Sequence, residues 1–344
     1  MIKQPRPTLS DVARHAGVSN ATASVALNGN GSVSPATRDR VHAAAELLNY
    51  RPLQAGKRLG GTTGRSIGVL VKELDSPYFA GVIAGARAHA RARGYTLLVA
   101  SSERDSEDER QAVELLNASD VGGLIITAMM DEKADLSHLF ELKRRNVPFV
   151  LLGDIPGLPA SVVDVDNVGA SRAAVDHLIA QGHKRIVHFA GPTGSLHGEE
   201  RVDGVRRACA AALLAFTDAD VVPAGLTLAD GYQAALAYFA NRAAADRPTA
   251  VTCHNDLVAI GVCRALAELG LRVPEDVAVV GFDDIPILEY LAVPLTSVRV
   301  PTLRMGEIAA ELLLDAMEAN ESRAPQKVYL DAELVVRQST QRGR

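Results

Sequence analysis

The sequence predicts an N-terminal all-α helix-turn-helix head followed by an α/β core of two lobes, each a doubly wound parallel sheet. Three observations carry that expectation. Residues 8–28, TLSDVARHAGVSNATASVALN, read as two short helices around a glycine turn. From residue 66 onward, apolar strand-like runs alternate with amphipathic helical segments across short joints. The alternation also starts twice, which argues for two similar lobes in tandem.

The head follows element by element. Thr8 can cap the first helix, with Asp11 three residues on. Leu9, Val12, Ala13 and Ala16 form one apolar stripe at helical spacing. Gly17 stands where the chain must leave the helix with a positive φ. Val18 plugs the turn, and Ser19 can cap a second helix. There Ala23 and Leu27 face inward, leaving Asn20, Ala21, Ser24, Val25 and Asn28 outward. Ser34-Pro35-Ala36-Thr37 has the cap-and-proline signature of a third helix, with Val41, Ala44, Ala45 and Leu48 as its stripe. Residues 52–59 are too few, and too glycine-containing, to hold a helix alone in water.

Two amphipathic helices of an ordinary bundle would show the same periodicity. The outward face of residues 19–28 carries no charge, however, whereas a solvated helix face usually carries Lys and Glu. Its small uncharged side chains suit a helix that must fit a DNA major groove. Residues 1–60 hold eight Lys/Arg against three acids, a net of +5, while the whole chain is −5 and the remainder therefore −10. That asymmetry is the footprint of a nucleic-acid-binding head on an acidic body.

With TLSDVARHAGVS, the T–S–LN spacing of the second helix, VSPATRDRV, LNYRP and the short segment ending in Leu59, the chain resembles the LacI/GalR family of bacterial transcription regulators. The resemblance spans essentially the whole chain. It implies that the second helix reads the major groove and that residues 52–59 form a hinge helix on the minor groove. By position, Asn20, Ala21 and Val25 would read bases. Thr22, Ser24 and Asn28 would touch phosphates, with the capping Thr8 and Ser19 beside them, and Leu59 would wedge at the operator centre. Many relatives have a long polar residue where this chain has Val25, which can make only apolar contact, for example with a thymine methyl.

Composition limits the alternatives. A chain of 344 residues with 47% apolar content has ample material for two or three domains. No apolar run approaches the length needed to span a bilayer, and MIKQPRPTLSD has no apolar core of a secretory signal. A cytoplasmic protein without membrane association is expected. Cys209, Cys253 and Cys263 are unclustered and read as reduced, buried small residues. With neither CxxC nor HExxH, no metal site and no cofactor are expected. GGTTGRS at 60–66 lacks the spacing and lysine of a phosphate loop and reads as a linker.

In the body, SIGVLV (66–71), YTLLVA (95–100), GGLIIT (122–127) and PFVLLG (148–153) read as the first strand series, with helices at 79–93 and 107–118 among them. SVVDVD (161–166), RIVHFAG (185–191), PTAVTC (248–253) and VAVVGFD (277–283) read as the second. The resemblance extends to the family's sugar-binding core, itself similar to periplasmic binding proteins, in which the chain crosses between lobes three times. Crossings near Val165, Pro294 and Pro325 divide the chain into a head at 1–61 and a core at 62–344. Lobe one would take 62–165 and 295–324, and lobe two 166–294 and 325–344.

Ligands of such sheets bind just past the carboxyl ends of strands. Ser76, Tyr78 and Phe79 follow the first strand, and Asp154 follows the fourth. Arg201, Asn255 and Asp283 hold equivalent places in the second lobe. Each resembles an effector contact of the family, and together they offer carboxylates, a guanidinium, an amide and aromatic faces to a polyhydroxyl ligand. Asp256 could instead cap a helix starting at Leu257, and Asp284 reads as an exposed turn residue. His183 and His188 lack metal-ligand partners and read as surface or satisfied core histidines. Ser195, His197 and Leu226 fall where purine-responsive relatives carry clamp residues, so a sugar or sugar acid is favoured over a nucleobase.

The expectation is a homodimeric repressor that binds a pseudo-palindromic operator in double-stranded DNA under control of a carbohydrate-like effector. A transport-type sugar-binding protein and a nucleoside- or purine-responsive regulator are the alternatives. An enzyme using Asp154 and Asp283 as acid and base is disfavoured, because no general-base histidine is identifiable.

Overall fold

The computed structural model describes residues 9–28, 33–48, 66–119, 121–129, 134–240, 242–319 and 324–341. Thr8, Leu59, the 52–59 hinge and the side chain of Asn28 lie outside the described residues. The chain divides into two compact units, Met1–Thr63 and Gly64–Arg344.

In the first unit, α1 (Leu9–Ala16), α2 (Asn20–Asn28) and α3 (Pro35–Leu47) enclose a small core. Val12, Ala13, Ala16, Ala23, Ala26, Val41, Ala44 and Ala45 are buried there, with Leu9, Val18, Leu27 and Leu48 packed around them. Gly17 turns the chain at φ 69°. The Ser19 hydroxyl accepts the Thr22 N–H at 3.1 Å and Ser34 accepts that of Thr37 at 3.2 Å, so two of the three expected caps form, the third being at Thr8 outside the described residues. Ala26 is a buried position that the periodicity did not single out.

The second unit contains two six-stranded sheets. Strands β1 (Ser66–Val71), β2 (Thr96–Ser101), β3 (Leu124–Ile126), β4 (Phe149–Leu152), β5 (Ser161–Val165) and β11 (Lys327–Leu330) form the first, in the order β11-β5-β4-β3-β1-β2. Strands β6 (Ile186–Ala190), β7 (Val221–Pro223), β8 (Ala250–Cys253), β9 (Ala278–Asp283), β10 (Thr296–Arg299) and β12 (Glu333–Val335) form the second, in the order β12-β10-β9-β8-β6-β7. All neighbours run parallel except β12, which is antiparallel to β10. The central strands are buried on both faces, which is why they read as continuous apolar runs.

Three boundaries differ from expectation. SVVDVD forms β5 beside β4, so it closes the first sheet and does not open the second. The second crossing falls after Arg299 and not at Pro294, because TSVR pairs with β9. The third falls between Leu330 and Glu333 and not at Pro325, because KVYL pairs with β5.

Helices α4 (Pro77–Ala92) and α11 (Thr302–Glu318) cover one face of the first sheet, while α5 (Ser106–Ala118) packs on β1 and β2 and α6 (Ser137–Arg144) follows β3 in the chain. In lobe two, α7 (Asn167–Ala180) pairs with α8 (Leu196–Ala211), and α9 (Leu228–Phe239) with α10 (Asp256–Glu268). Gly85 lets α4 meet α11 closely: a Cβ there would lie 1.9 Å from the Leu303 carbonyl oxygen. One apolar core runs through both lobes, from Ile67, Val82, Val163 and Leu313 to Val205 and Phe282, and a second core fills each lobe's other face. Burying each such large side chain contributes about 1.5–3 kcal/mol. Cys209 and Cys253 are buried free thiols, and Cys263 is half-buried. Among the described residues, no helix is long and apolar enough to cross a membrane.

Candidate functional site

The carboxyl ends of both sheets meet at one cavity. It is lined from lobe one by Lys72, Ser76, Tyr78, Phe79, Arg104, Thr127 and Leu152. Lobe two contributes Ser195, His197, Arg201, Leu226, His254, Asn255 and Asp283. Six of the seven residues expected to contact an effector therefore share one lining. Asp154 stands outside it, where its carboxylate takes the Lys327 ammonium and lies 3.4 Å from the Tyr329 hydroxyl. Both partners come from β11, which runs beside β5 at that edge.

Arg201 is the best-anchored side chain of the cavity. It projects from the second turn of α8 and is 7% exposed. Its Nε donates to Asn167 Oδ1 at 3.2 Å, and Nη1 donates to the His254 carbonyl. Its guanidinium carbon lies 3.7 Å from the centre of the Phe282 ring, and Nη2 stands 4.0 Å from Asp283 Oδ1. Asp283 ends β9 with φ 115°, a conformation that L side chains avoid, and this strained turn is part of the cavity wall. Burial pushes the Asp283 carboxyl up to about 7, against the opposing pull of Arg201.

Asn255 has a structural duty as well. Its side-chain oxygen caps α10 by accepting the Val258 N–H at 2.8 Å, and its Nδ2 donates to the Leu226 carbonyl at 3.0 Å. Asp256, a candidate for that cap, is fully buried instead. It accepts from Ser297 Oγ at 2.6 Å and from the Ile285 N–H at 2.8 Å, and burial drives its carboxyl strongly upward. Asp284 is not an exposed turn residue. Its carboxylate, 4% exposed, lies 2.7 Å from both Arg299 Nε and Arg337 Nη1. Tyr78 and Phe79 meet edge to face at 5.1 Å, and the Tyr78 hydroxyl points at Met305 Sδ at 3.7 Å.

His183 and His188 are buried, each with Nδ1 near a threonine hydroxyl, at 3.0 Å from Thr249 and 2.9 Å from Thr252. Burial, helped by Arg201, holds the His188 imidazole down at about 3. Lys72, Arg104, Thr127 and His254 were not among the expected contacts. Their signal is positional: Lys72 directly follows β1, Thr127 follows β3 and His254 follows β8.

In the head, Asn20 and Ala21 are exposed, while Thr22, Ser24 and Val25 are half-buried. The Thr22 hydroxyl lies 2.9 Å from that of Ser19. Helix α2 thus offers a face of small polar and apolar groups with no charge.

A helix-turn-helix head and a two-lobed core with a polar cavity at its strand ends define a ligand-responsive regulatory protein. Residues 8–53 match the model described as bacterial regulatory proteins, lacI family, and residues 175–340 match a periplasmic binding protein-like domain. The HTH-type transcriptional regulator CelR of Thermobifida fusca is 35% identical, covering 98% of this chain and 100% of that protein. A solved transcriptional regulator CelR–cellobiose complex has a TM-score of 0.72 at 33% identity, covering 97% of this chain and 100% of that one. The lac repressor dimer bound to operator and the anti-inducer ONPF has a TM-score of 0.71 at 28% identity, covering 98% and 99%. The chain belongs to the lacI family of bacterial regulatory proteins.

Proposed function

We propose that this chain is a cytoplasmic, homodimeric transcription repressor whose hold on a pseudo-palindromic operator is set by a polyhydroxyl effector in the interlobe cavity. The observation that carries this reading is the cavity itself, with Arg201 and Asp283 converging on it from α8 and β9. Such a pair gives hydroxyl groups both a donor and an acceptor. Cellobiose in the solved CelR complex supports a carbohydrate, and the operator-bound lac repressor dimer supports pairing on DNA. The α2 face would enter the major groove, with Asn20, Ala21 and Val25 at base edges and Thr22, Ser24 and Asn28 on phosphates. Leu59 would wedge into the minor groove when residues 52–59 fold on DNA.

The test is DNA binding by the full chain at one fixed salt concentration. A palindromic duplex selected from a random pool is expected to bind at least about a thousandfold tighter than scrambled DNA. Leu59→Ala should weaken selected DNA far more than scrambled DNA, since phosphate contacts from the head remain. Equal affinity for both duplexes would refute the reading.

A further inference from the structure

We propose that the effector is a polyhydroxyl compound bearing an acidic group, a carboxylate or a phosphate, which Lys72, Arg104 and Thr127 hold on the lobe-one face of the cavity. The proposal rests on the reading of the cavity as the effector site and names the chemistry of its ligand.

The two faces of the cavity carry charge differently. Lobe one lines it with two cations and three hydroxyls, and no carboxylate of lobe one is among the described lining residues. Asp283, from lobe two, is the one acid among the described lining residues. Arg201 already has its complement there, in Asn167, the His254 carbonyl and Asp283.

Lobe one is complemented only in part among the described residues. Among the described residues, Lys72 makes no hydrogen bond or ion pair. Thr127, 5% exposed, has a buried hydroxyl without a partner among the described residues. Arg104 gives its Nε to Glu73, and among the described residues its terminal nitrogens make no hydrogen bond. The available counter-charges stand behind the lining. Glu73 takes Arg104 Nε on one oxygen, and its other oxygen is buried without a hydrogen bond among the described residues. Glu109 is 1% exposed, accepts the Met129 N–H at 2.6 Å and faces His138 Nε2 at 2.9 Å. Burial and the like charge of Arg104 pull the Lys72 ammonium down to about 8, opposed by Glu109 and Glu73.

A buried hydroxyl such as that of Thr127 is costly to leave without a partner, and the half-buried cations Lys72 and Arg104 beside it gain from an anion that shares their desolvation. An ammonium, a planar guanidinium and a hydroxyl converging on one wall provide the donors that the oxygens of a carboxylate or phosphate accept. A neutral sugar would satisfy Thr127 but leave Lys72 unmatched. An acidic group on lobe one also leaves the hydroxyls free to reach Arg201, Asn255 and Asp283 across the cavity.

The experiment is calorimetry at pH 7 on the full-length protein with D-gluconate, D-glucuronate, glucose 6-phosphate, glucose and cellobiose. At least one acidic compound should bind, and the sugar acids against the sugar phosphate identify which acidic group is used. Lys72→Met should weaken that compound about 10- to 150-fold, with Lys72→Arg recovering most of the loss. Thermal melts of both variants at the wild-type temperature would show that the fold is intact. Tight binding of glucose or cellobiose without any acidic compound would overturn the proposal and keep the cavity as effector site. So would binding of an acidic compound that is indifferent to Lys72→Met. No binding by any of the five compounds would count against both the proposal and the carbohydrate reading beneath it.

Discussion

Lobe two meets the cavity with polar side chains that already hold one another, whereas the described lobe-one cations and hydroxyls that line it make no hydrogen bond to one another. Arg201 is fixed by Asn167, the His254 carbonyl and the Phe282 ring. Just behind the cavity wall, Asp284 bridges Arg299 and Arg337, and Asp256 is bound by Ser297 and Ile285. Among the described residues, Lys72 and Thr127 across the cavity have no comparable restraint. The sheets beneath them share one strand order, so the difference lies in the residues placed at the strand ends. Lobe two is a preorganised frame, and lobe one is completed by what binds.

The largest effect expected from that contrast is on Arg201→Ala. It removes a buried cation, taking the counter-charge from Asp283 and the Arg201 donor from the Asn167 side-chain oxygen. Urea unfolding should show a loss of about 3–5 kcal/mol, and calorimetry should show loss of ligand binding. Lys72→Met should leave the urea midpoint unchanged while weakening the ligand. Equal destabilisation by both variants would erase the distinction between the faces. Gly85→Ala comes next, because its Cβ would strike the Leu303 backbone and force α4 from α11. It should cost lobe one about 1–3 kcal/mol in the same assay, and a neutral result would mean that the helices separate freely.

The smallest effect is on pH dependence. Burial raises the Asp283 carboxyl to about 7, so the carboxylate that accepts hydroxyls forms as pH rises through that value. Lys72 loses its proton above about 8. Affinity for an acidic polyhydroxyl ligand should therefore peak between pH 7 and 8, with slopes of at most about tenfold per pH unit on either side. Asp283→Asn should flatten the acid limb and Lys72→Arg the alkaline limb. A wild-type profile flat from pH 6 to 9 would exclude both assignments.

Much of this architecture was legible because the local signals agreed. The head helices combine a cap, a period of 3.6 and a terminating turn. The central strands are apolar on both faces. Two short strands were not legible: TSVR and KVYL have no continuous apolar run, and their pairing is set by neighbours elsewhere in the sequence. That single gap explains the misplaced crossings. It also explains Asp154, which has the right position after a strand but turns to Lys327 and Tyr329 on the strand that periodicity did not reveal. Lys72 and Arg104 escaped for the opposite reason. A charged residue past a strand end reads as solvated surface until the opposing lobe is known to cover it. Asp284 and Asp256 were ambiguous for the same cause, since their arginine, serine and backbone partners lie 13 or more residues away.

The most direct test of the whole account is the coupling between cavity and head. Affinity for the selected palindromic duplex should be measured by fluorescence anisotropy with and without the polyhydroxyl compound that binds the wild type. The ligand should change wild-type affinity by about 5- to 150-fold. In Arg201→Ala, at a temperature where it remains folded, unliganded DNA affinity should stay within about threefold of wild type and the ligand response should vanish. A wild-type affinity unchanged by saturating ligand, or an undiminished response in Arg201→Ala, would contradict control of DNA binding from this cavity.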